Sequence, residues 1–378
     1  MPRYRIGKNY GEEVTAHCRR VAALARRVGS AMRLGDPVQN DLSVAAVLHE
    51  CLNVETSPAE AEILEVCNAF DEAVEFAAFE RASITGAIAD FQRETAPAFR
   101  PKVREALQQV TAQVPVSHYG PLPVMPKAVS QLMRTSNETA SPAQLRQIAG
   151  SDPVLCGRLL HVANSARFGG REPVTGVLEA AGRLGVPMAR KVLLAACFAP
   201  LFASKPLQEV WKHSQMVADV ASEAARRISL DPGLAYTAGL LHDIGRLVFA
   251  AGPANCQAKL QEWVEDGFPP VYAETLTYRK DHARAGADLL HSWNLPATLV
   301  EAVEYHHSPE KNDSVLASLL FLAEEWSRRE APAPSESHTP SECLNANMRL
   351  VFAEQHTGLK LEMLTLAEAH PEYFALAG

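Results

Sequence analysis

The stretch Leu240-Leu241-His242-Asp243-Ile244-Gly245-Arg246-Leu247-Val248-Phe249 sets an imidazole and a carboxylate side by side between two apolar runs. Flanks this apolar bury what lies between them, and a buried ionisable pair is costly unless something compensates it. Neutral imidazole and carboxylate are both good metal ligands, so a metal ion is one compensation. A hydrogen-bond network is the other. Which one applies depends on the polar side chains the rest of the chain sends to the same interior.

Working outward, His242 and Asp243 fall in a helix expected over 232–250, opened by Asp231-Pro232. On a helix expected over 207–229 the apolar side runs through Val217, Val220, Ala221 and Ala224, and the phase predicts that Glu209 and His213 both join it. His282 opens a helix at 281–293, and His306 follows Leu299 and Val303 at helical spacing, with His307 next to it. On 314–329 the stripe Leu316, Leu320, Ala323 carries Glu324 inward and turns Glu325 away. A lone inward histidine is most often a hydrogen-bonded core residue. Five helices sending metal-capable side chains to one interior are harder to explain that way. The only cations available to the buried carboxylates would be protonated histidines, whereas a metal satisfies both kinds of group.

The remaining chain reads as helix throughout. Helices are expected at 12–34, 41–52, 58–80 and 100–113, making residues 1–115 a small all-α unit. A proline-rich joint around Pro115–Pro126 leads into a helical subdomain, 118–205, in which Ser141-Pro142 and Asp152-Pro153 each place a capping residue before a proline. The histidine-bearing subdomain spans 206–330. A Pro/Ser-rich linker, 331–341, and a helical extension, 342–378, complete the chain. The fold class is all-α.

Of the 378 residues 47% are hydrophobic and 21% charged, enough apolar material for packed cores and too little charge for a disordered chain. A net charge of −8 argues against broad electrostatic binding of nucleic acid. Seven scattered cysteines contain no C-x-x-C pair and read as reduced thiols. The N-terminal stretch has no apolar core like that of a signal peptide, and the apolar run Val192–Ala203 is too short to span a bilayer. A cytoplasmic protein without membrane insertion is expected.

These residues carry a family resemblance. His213, His242-Asp243 and a late acidic residue resemble the pattern of the HD superfamily of metal-dependent phosphohydrolases, with Glu324 where that pattern has Asp. Residues 118–330 more specifically resemble an HDOD domain, the HD-related output domain of bacterial signalling. The likeness runs through Leu122-Pro-Val-Met-Pro126, Asp152–Ser165, Trp211–Ser214, Ala238–Leu247 and Tyr305-His306-His307. It implies a multi-helix HD-type bundle with a second helical subdomain. By likeness to HD-GYP cyclic-dinucleotide phosphodiesterases, it also implies that Glu209, His213, His242, Asp243, His282, His306, His307 and Glu324 ligate one or two divalent transition-metal ions, iron being the usual one. The chain departs from those enzymes after His307, where Ser308–Ser314 replaces their glycine-rich loop, and at Arg246, where they usually carry lysine.

The first unit resembles a shortened, degenerate HD-GYP-like domain. Glu13 and His17 repeat the spacing of Glu209 and His213, Val47-Leu48-His49-Glu50 echoes Leu240–Asp243, and Asn68 stands where Asp is expected. The resemblance implies a bacterial signalling protein whose HDOD module engages protein partners, with a metal-free first unit as sensor or dimerisation element and a homodimer among the options. The alternative is a metal-dependent phosphohydrolase acting on a nucleotide or cyclic dinucleotide, with Asp243 and Arg246 as the catalytic residues.

Overall fold

The computed structural model describes residues 10–49, 55–79, 84–112, 123–134, 141–150, 152–170, 172–330 and 340–364, and among them there is no strand. In chain order the helices are α1 Tyr10–Ala31, α2 Asp36–Leu48, α3 Pro58–Phe79, α4 Ile84–Asp90 and α5 Pro101–Val110, then α6 Lys127–Met133, α7 Pro142–Ala149, α8 Pro153–Ala163, α9 Val177–Leu184 and α10 Val186–Phe198. There follow α11 Lys205–Ala225, α12 Pro232–Leu241, α13 Gly245–Ala250, α14 Ala254–Glu265, α15 Pro270–Tyr278, α16 His282–Ser292, α17 Ala297–Tyr305, α18 Val315–Glu330 and α19 Pro340–Thr357. Most of the expected linker, 331–339, lies outside the described residues, as do Glu50 and the side chain of Glu13.

Local chemistry sets the helix starts. Ser141 and Gln144 close a capping box at α7, Gln144 N–H donating to Ser141 Oγ at 3.3 Å and Ser141 N–H to Gln144 Oε1 at 2.8 Å. Asp152 and Asp231 accept from the second backbone N–H of α8 and α12, each at 2.8 Å. Such caps stabilise a helix by about 1 kcal/mol each. The helix expected over 232–250 is in fact two. It breaks at residues 242–244, where Ile244, Arg246 and Leu247 donate to carbonyls three residues back. The break lets the backbone of Gly245 press against α16, where a Cβ would lie 2.6 Å from Gly286 N and inside the contact shell of the His282 carbonyl. Gly239 does the same on α11, where a Cβ would sit 2.7 Å from Ala218 N.

The chain divides into two units. The first comprises 1–120, 252–281 and 333–348. The pair α14–α15 belongs to it, although the sequence places that segment with the histidines. The reason is packing: Trp263, Phe268, Ala273 and Leu276 fill a core with Leu24, Val28, Leu42, Ile63 and Phe70, and Arg27 pairs with Asp266 and Glu262. The α15 helix falls between the segments the sequence marks as helical, and Pro270 starts it at the first helical position.

The second unit comprises 121–251, 282–332 and 349–378. In it α6–α10 pack together, and α11, α12, α17 and α18 share a core of Val217, Val220, Ala224, Ala238, Leu299, Leu319, Leu320 and Ala323. Asn164 ends α8 and ties the following loop down by bonding the backbone N–H (2.7 Å) and carbonyl (2.8 Å) of Val174.

Candidate metal centre

Within the second unit, α11 presents His213, the α12–α13 turn presents His242 and Asp243, the start of α16 presents His282, the end of α17 presents His306 and His307, and α18 presents Glu324. Three overlapping sets, His213/His242/Glu324, His242/Asp243/His306 and His282/His306/His307, each bring one ligand-type atom per residue within 4.8 Å of one another. Adjacent rings stand edge to face, with centroids 5.2 Å apart for both His213–His242 and His242–His306. His242, His282 and His306 are fully buried.

Each ring is aimed by its other nitrogen. His242 Nδ1–H donates to the Gly239 carbonyl at 2.8 Å and His306 Nδ1–H to the Val303 carbonyl at 2.6 Å, which fixes the tautomer and turns each Nε2 lone pair inward. Those two atoms, with Asp243 Oδ1 and Glu324 Oε2, are buried without a hydrogen-bond partner. Asp243 Oδ1 lies 3.0 Å from His282 Nε2, the nitrogen that also meets His307 Nε2 at 2.7 Å. Four orphaned lone-pair atoms facing one interior cost free energy as they stand, and a divalent cation fits them. This donor set of imidazole nitrogens and carboxylate oxygens suits zinc, iron or manganese more than calcium.

Protonation favours the same use. Burial lowers the pKa of His213 to about 4 and that of His306 to about 3. Burial also carries His307 well below its usual value. For the carboxylates burial works the other way and is outweighed: by Arg246 and the neighbouring imidazoles at Asp243, and by Arg328 and His307 at Glu324. At neutral pH these histidines are neutral and the carboxylates ionised, which is the ligand form.

Glu209 does not join the centre. Its side chain is 76% exposed and pairs with Lys212, because the first two turns of α11 bury the side that carries Leu207 and Trp211, and Glu209 falls opposite it. Arg246 sits on the rim, its Nε donating to Asp243 Oδ2 at 3.1 Å. The sequence reading missed Arg328, which holds Glu324 Oε1 at 2.5 Å. It also missed Ser327, whose Oγ lies 3.3 Å from His213 Nδ1. The Glu324–Arg328 spacing of four on one helix was the available signal.

Comparison with known families places this geometry. Residues 122–309 match the HDOD domain. The chain contains an HDOD domain. A solved protein from Shewanella amazonensis, named as a candidate phosphohydrolase, is 26% identical, covers 64% of this chain and 87% of its own, and superposes with a TM-score of 0.52. An HDOD domain protein of Geobacter sulfurreducens shares the fold at 21% identity and a TM-score of 0.52, over 66% of this chain and 95% of its own. An uncharacterised protein of Treponema pallidum is 25% identical over 53% of this chain and 41% of its own length. Ribonuclease Y of Opitutus terrae is 32% identical over 34% of this chain and 20% of its own. The chain thus spans less than half the length of these curated relatives. The HDOD match includes every histidine of the centre and Asp243, but ends before Glu324.

The first unit assembles a second cluster. His17 on α1 and His49 after α2 both reach Asn68 on α3, Nε2 to Oδ1 at 2.9 and 3.0 Å. His49 Nδ1–H donates to the Ala46 carbonyl three residues back, as His242 does to Gly239. Asp71 accepts from His17 Nδ1 at 2.8 Å and from the buried Arg20. The spacings repeat: three residues separate His17 from Arg20 and Asn68 from Asp71, as they separate His213 from Met216 and Glu324 from Ser327. Arg20 was not anticipated, although it follows His17 on the side of α1 that carries Val21 and Leu24.

Proposed function

We propose that the protein is a bacterial signal-transduction component whose HDOD domain is a regulatory and interaction module built around a resident divalent transition metal. The observation that carries this is the set of four buried, unpartnered ligand atoms on His242, Asp243, His306 and Glu324. His213, His282 and His307 complete the donor set. Burial favours a regulatory over a hydrolytic role: exposure of His242, Asp243, His282, His306 and Glu324 runs from 0 to 4%, which leaves these atoms little access to a phosphodiester. The short connection from His307 to α18, with a single 3-10 turn at Pro309–Lys311, leaves no long substrate-covering loop there. Elemental analysis of protein purified anaerobically, alongside a phosphodiester panel that includes cyclic dinucleotides and RNA, tests the reading. Metal without turnover is expected, and turnover at ordinary enzymatic rates overturns it.

A second reading, a metal-dependent phosphohydrolase, is favoured by Arg246. Its guanidinium stands on the solvent side of Asp243, where it can neutralise a phosphate. A bound metal there would supply a water of lowered pKa. Asp243 would orient the centre and Arg246 would hold the anion, so Arg246→Ala should abolish any turnover while leaving metal content unchanged.

In this proposal the first unit is a worn, metal-free copy of the same motif that serves as a sensing or dimerisation partner. The correspondence of His17, His49 and Asn68 with His213, His242 and Glu324 supports it. So does Arg20, which already supplies a buried positive charge. No single helix among the described residues is long and apolar enough to cross a membrane, in keeping with a cytoplasmic site of action and protein partners there.

A further inference from the structure

The first unit contains a cavity of about 170 Å³ that the metal chemistry does not use. Its floor is apolar and buried: Phe70 and Phe91 meet edge to face at 5.4 Å, flanked by Ala96 and Leu107. One wall is a π-helical turn, Phe91–Thr95, between α4 and the 3-10 turn Ala96–Ala98. Such turns are rare and recur at functional sites, because the wider winding displaces a side chain that a regular α-helix would direct elsewhere. The rim is polar. Arg104 on α5 makes no ion pair or hydrogen bond among the described residues, and neither do Gln92 and Gln108 beside it. The remaining polar group, the Thr111 hydroxyl, is satisfied by the Leu107 carbonyl at 2.9 Å.

We infer that this cavity is a binding site for a small aromatic carboxylate. An apolar cavity of ~150 Å³ accepts a benzene ring, and the whole of this cavity, about 170 Å³, has room for one ring. Phe70 and Phe91, already paired edge to face, line the cavity, so a third aromatic ring would extend the same kind of packing. The guanidinium at the mouth selects an acid over an amine, and the two carboxamides offer further donors to its second oxygen. The assignment gives the first unit, read above as a sensor, a ligand class. It rests on that reading only for its biological meaning.

The test is titration of the full-length protein with benzoate, followed by calorimetry and by ring-proton contacts to Phe91 in NMR. Saturable binding in the millimolar range or tighter is expected for so small a ligand, with benzylamine failing to compete. Arg104→Gln should weaken benzoate about tenfold, the loss of one charge-assisted contact. Gln108→Trp, an exposed change that spares the core, should block entry. Binding must also persist after chelation, which separates it from carboxylate ligation at the HDOD centre. Absence of saturable binding, equal binding of benzylamine, indifference to both substitutions, or loss on chelation overturns the inference. None of these outcomes bears on the metal content of the second unit.

Discussion

The guanidinium of Arg20 forks onto the carboxylate of Asp71, Nε at 2.9 Å from Oδ1 and Nη2 at 2.8 Å from Oδ2. Both side chains are 2% exposed. In the second unit Met216 and Ser327, three residues after His213 and Glu324 as Arg20 and Asp71 are after His17 and Asn68, are joined by a hydroxyl-to-sulfur contact of 3.4 Å. One unit therefore carries its own buried cation beside the histidine cluster, and the other has neutral groups there. The first cluster closes on itself through hydrogen bonds, while the second leaves lone pairs facing inward.

Asp71→Asn should accordingly be severe. It strands a buried guanidinium, and breaking a buried pair from one side costs about 3–5 kcal/mol. Arg20→Met combined with Asp71→Ser, which imports the second unit's solution, should recover most of that loss. Urea unfolding of the three proteins measures it. A cost for Asp71→Asn below ~1 kcal/mol, the range of exposed pairs, would show that Arg20 is hydrated rather than locked.

The same contact gives the first unit a pH dependence. Burial opposes a charged His17, but the hydrogen bond and charge of Asp71 outweigh it and raise its pKa. A raised folded value means that the contribution is full below the unfolded histidine pKa of about 6.5 and is lost as pH rises through the folded one. Burial likewise opposes a charged Asp71, yet Arg20 and His17 lower its pKa, so its contribution is present above about 3.9 and lost as pH falls through the lowered value. Wild type should therefore exceed His17→Gln in stability in mildly acidic buffer, by a margin that shrinks on going alkaline. A margin independent of pH from about 5 to 9 would refute the assignment.

Asn68 decides whether the first cluster takes metal. Its carboxamide oxygen lies 2.9 and 3.0 Å from the two histidine Nε2 atoms and occupies the place at which a ligand between them would sit. Replacing Asn68→Asp together with Arg20→Met and Asp71→Ser removes the competing cation and supplies a carboxylate between two imidazoles. In a His242→Ala/His306→Ala background, which removes a ligand from each of the three sets of the second centre, this variant should bind about one equivalent of Co²⁺. The parent should bind none. If the visible Co²⁺ spectrum of the two proteins is the same, Asn68 is not the determinant.

The all-α class, the helix starts at Ser141, Asp152 and Asp231, and the convergence of His213, His242, Asp243, His306 and Glu324 were legible because caps and helical periodicity are local signals. Glu209 misled because it lies one turn from His213 on the same face, and periodicity does not say which side of a helix is buried at each of its ends. The break at residues 242–244 was invisible: nothing in the local propensity of Leu240–Phe249 stops a helix, and only the approach of α13 to α16 through Gly245 requires it. The place of α14–α15 in the first unit was equally hidden, since it depends on Trp263 and Phe268 finding a core distant in sequence.

Metal removal should destabilise the second unit. A ligand at ~1,000 times its dissociation constant stabilises the state it binds by about 4 kcal/mol, and chelation removes that and leaves four buried atoms unpartnered. EDTA should lower the melting temperature of wild type and leave His242→Ala/His306→Ala, which lacks a ligand in each of the three sets, unchanged. A wild-type melting curve indifferent to chelator, with no metal by elemental analysis, would sink the metal-centre reading.

Gly245 tests whether backbone packing positions the ligands. An added methyl would meet Gly286 N at 2.6 Å and press on the His282 carbonyl, both backbone atoms that cannot rotate away. The α13 and α16 helices would have to separate, carrying His282 from its 3.0 Å approach to Asp243. Gly245→Ala should therefore cost about 3 kcal/mol or more and lower metal content in the same sample. Gly157→Ala is the control: it lies inside α8 with no atom within 4 Å of the new Cβ, so it should gain about 0.5–1 kcal/mol from helix propensity and leave the metal in place. If Gly245→Ala retained wild-type stability and metal, the ligands would be positioned by their own hydrogen bonds to Gly239 and Val303, and not by the close approach of these two helices.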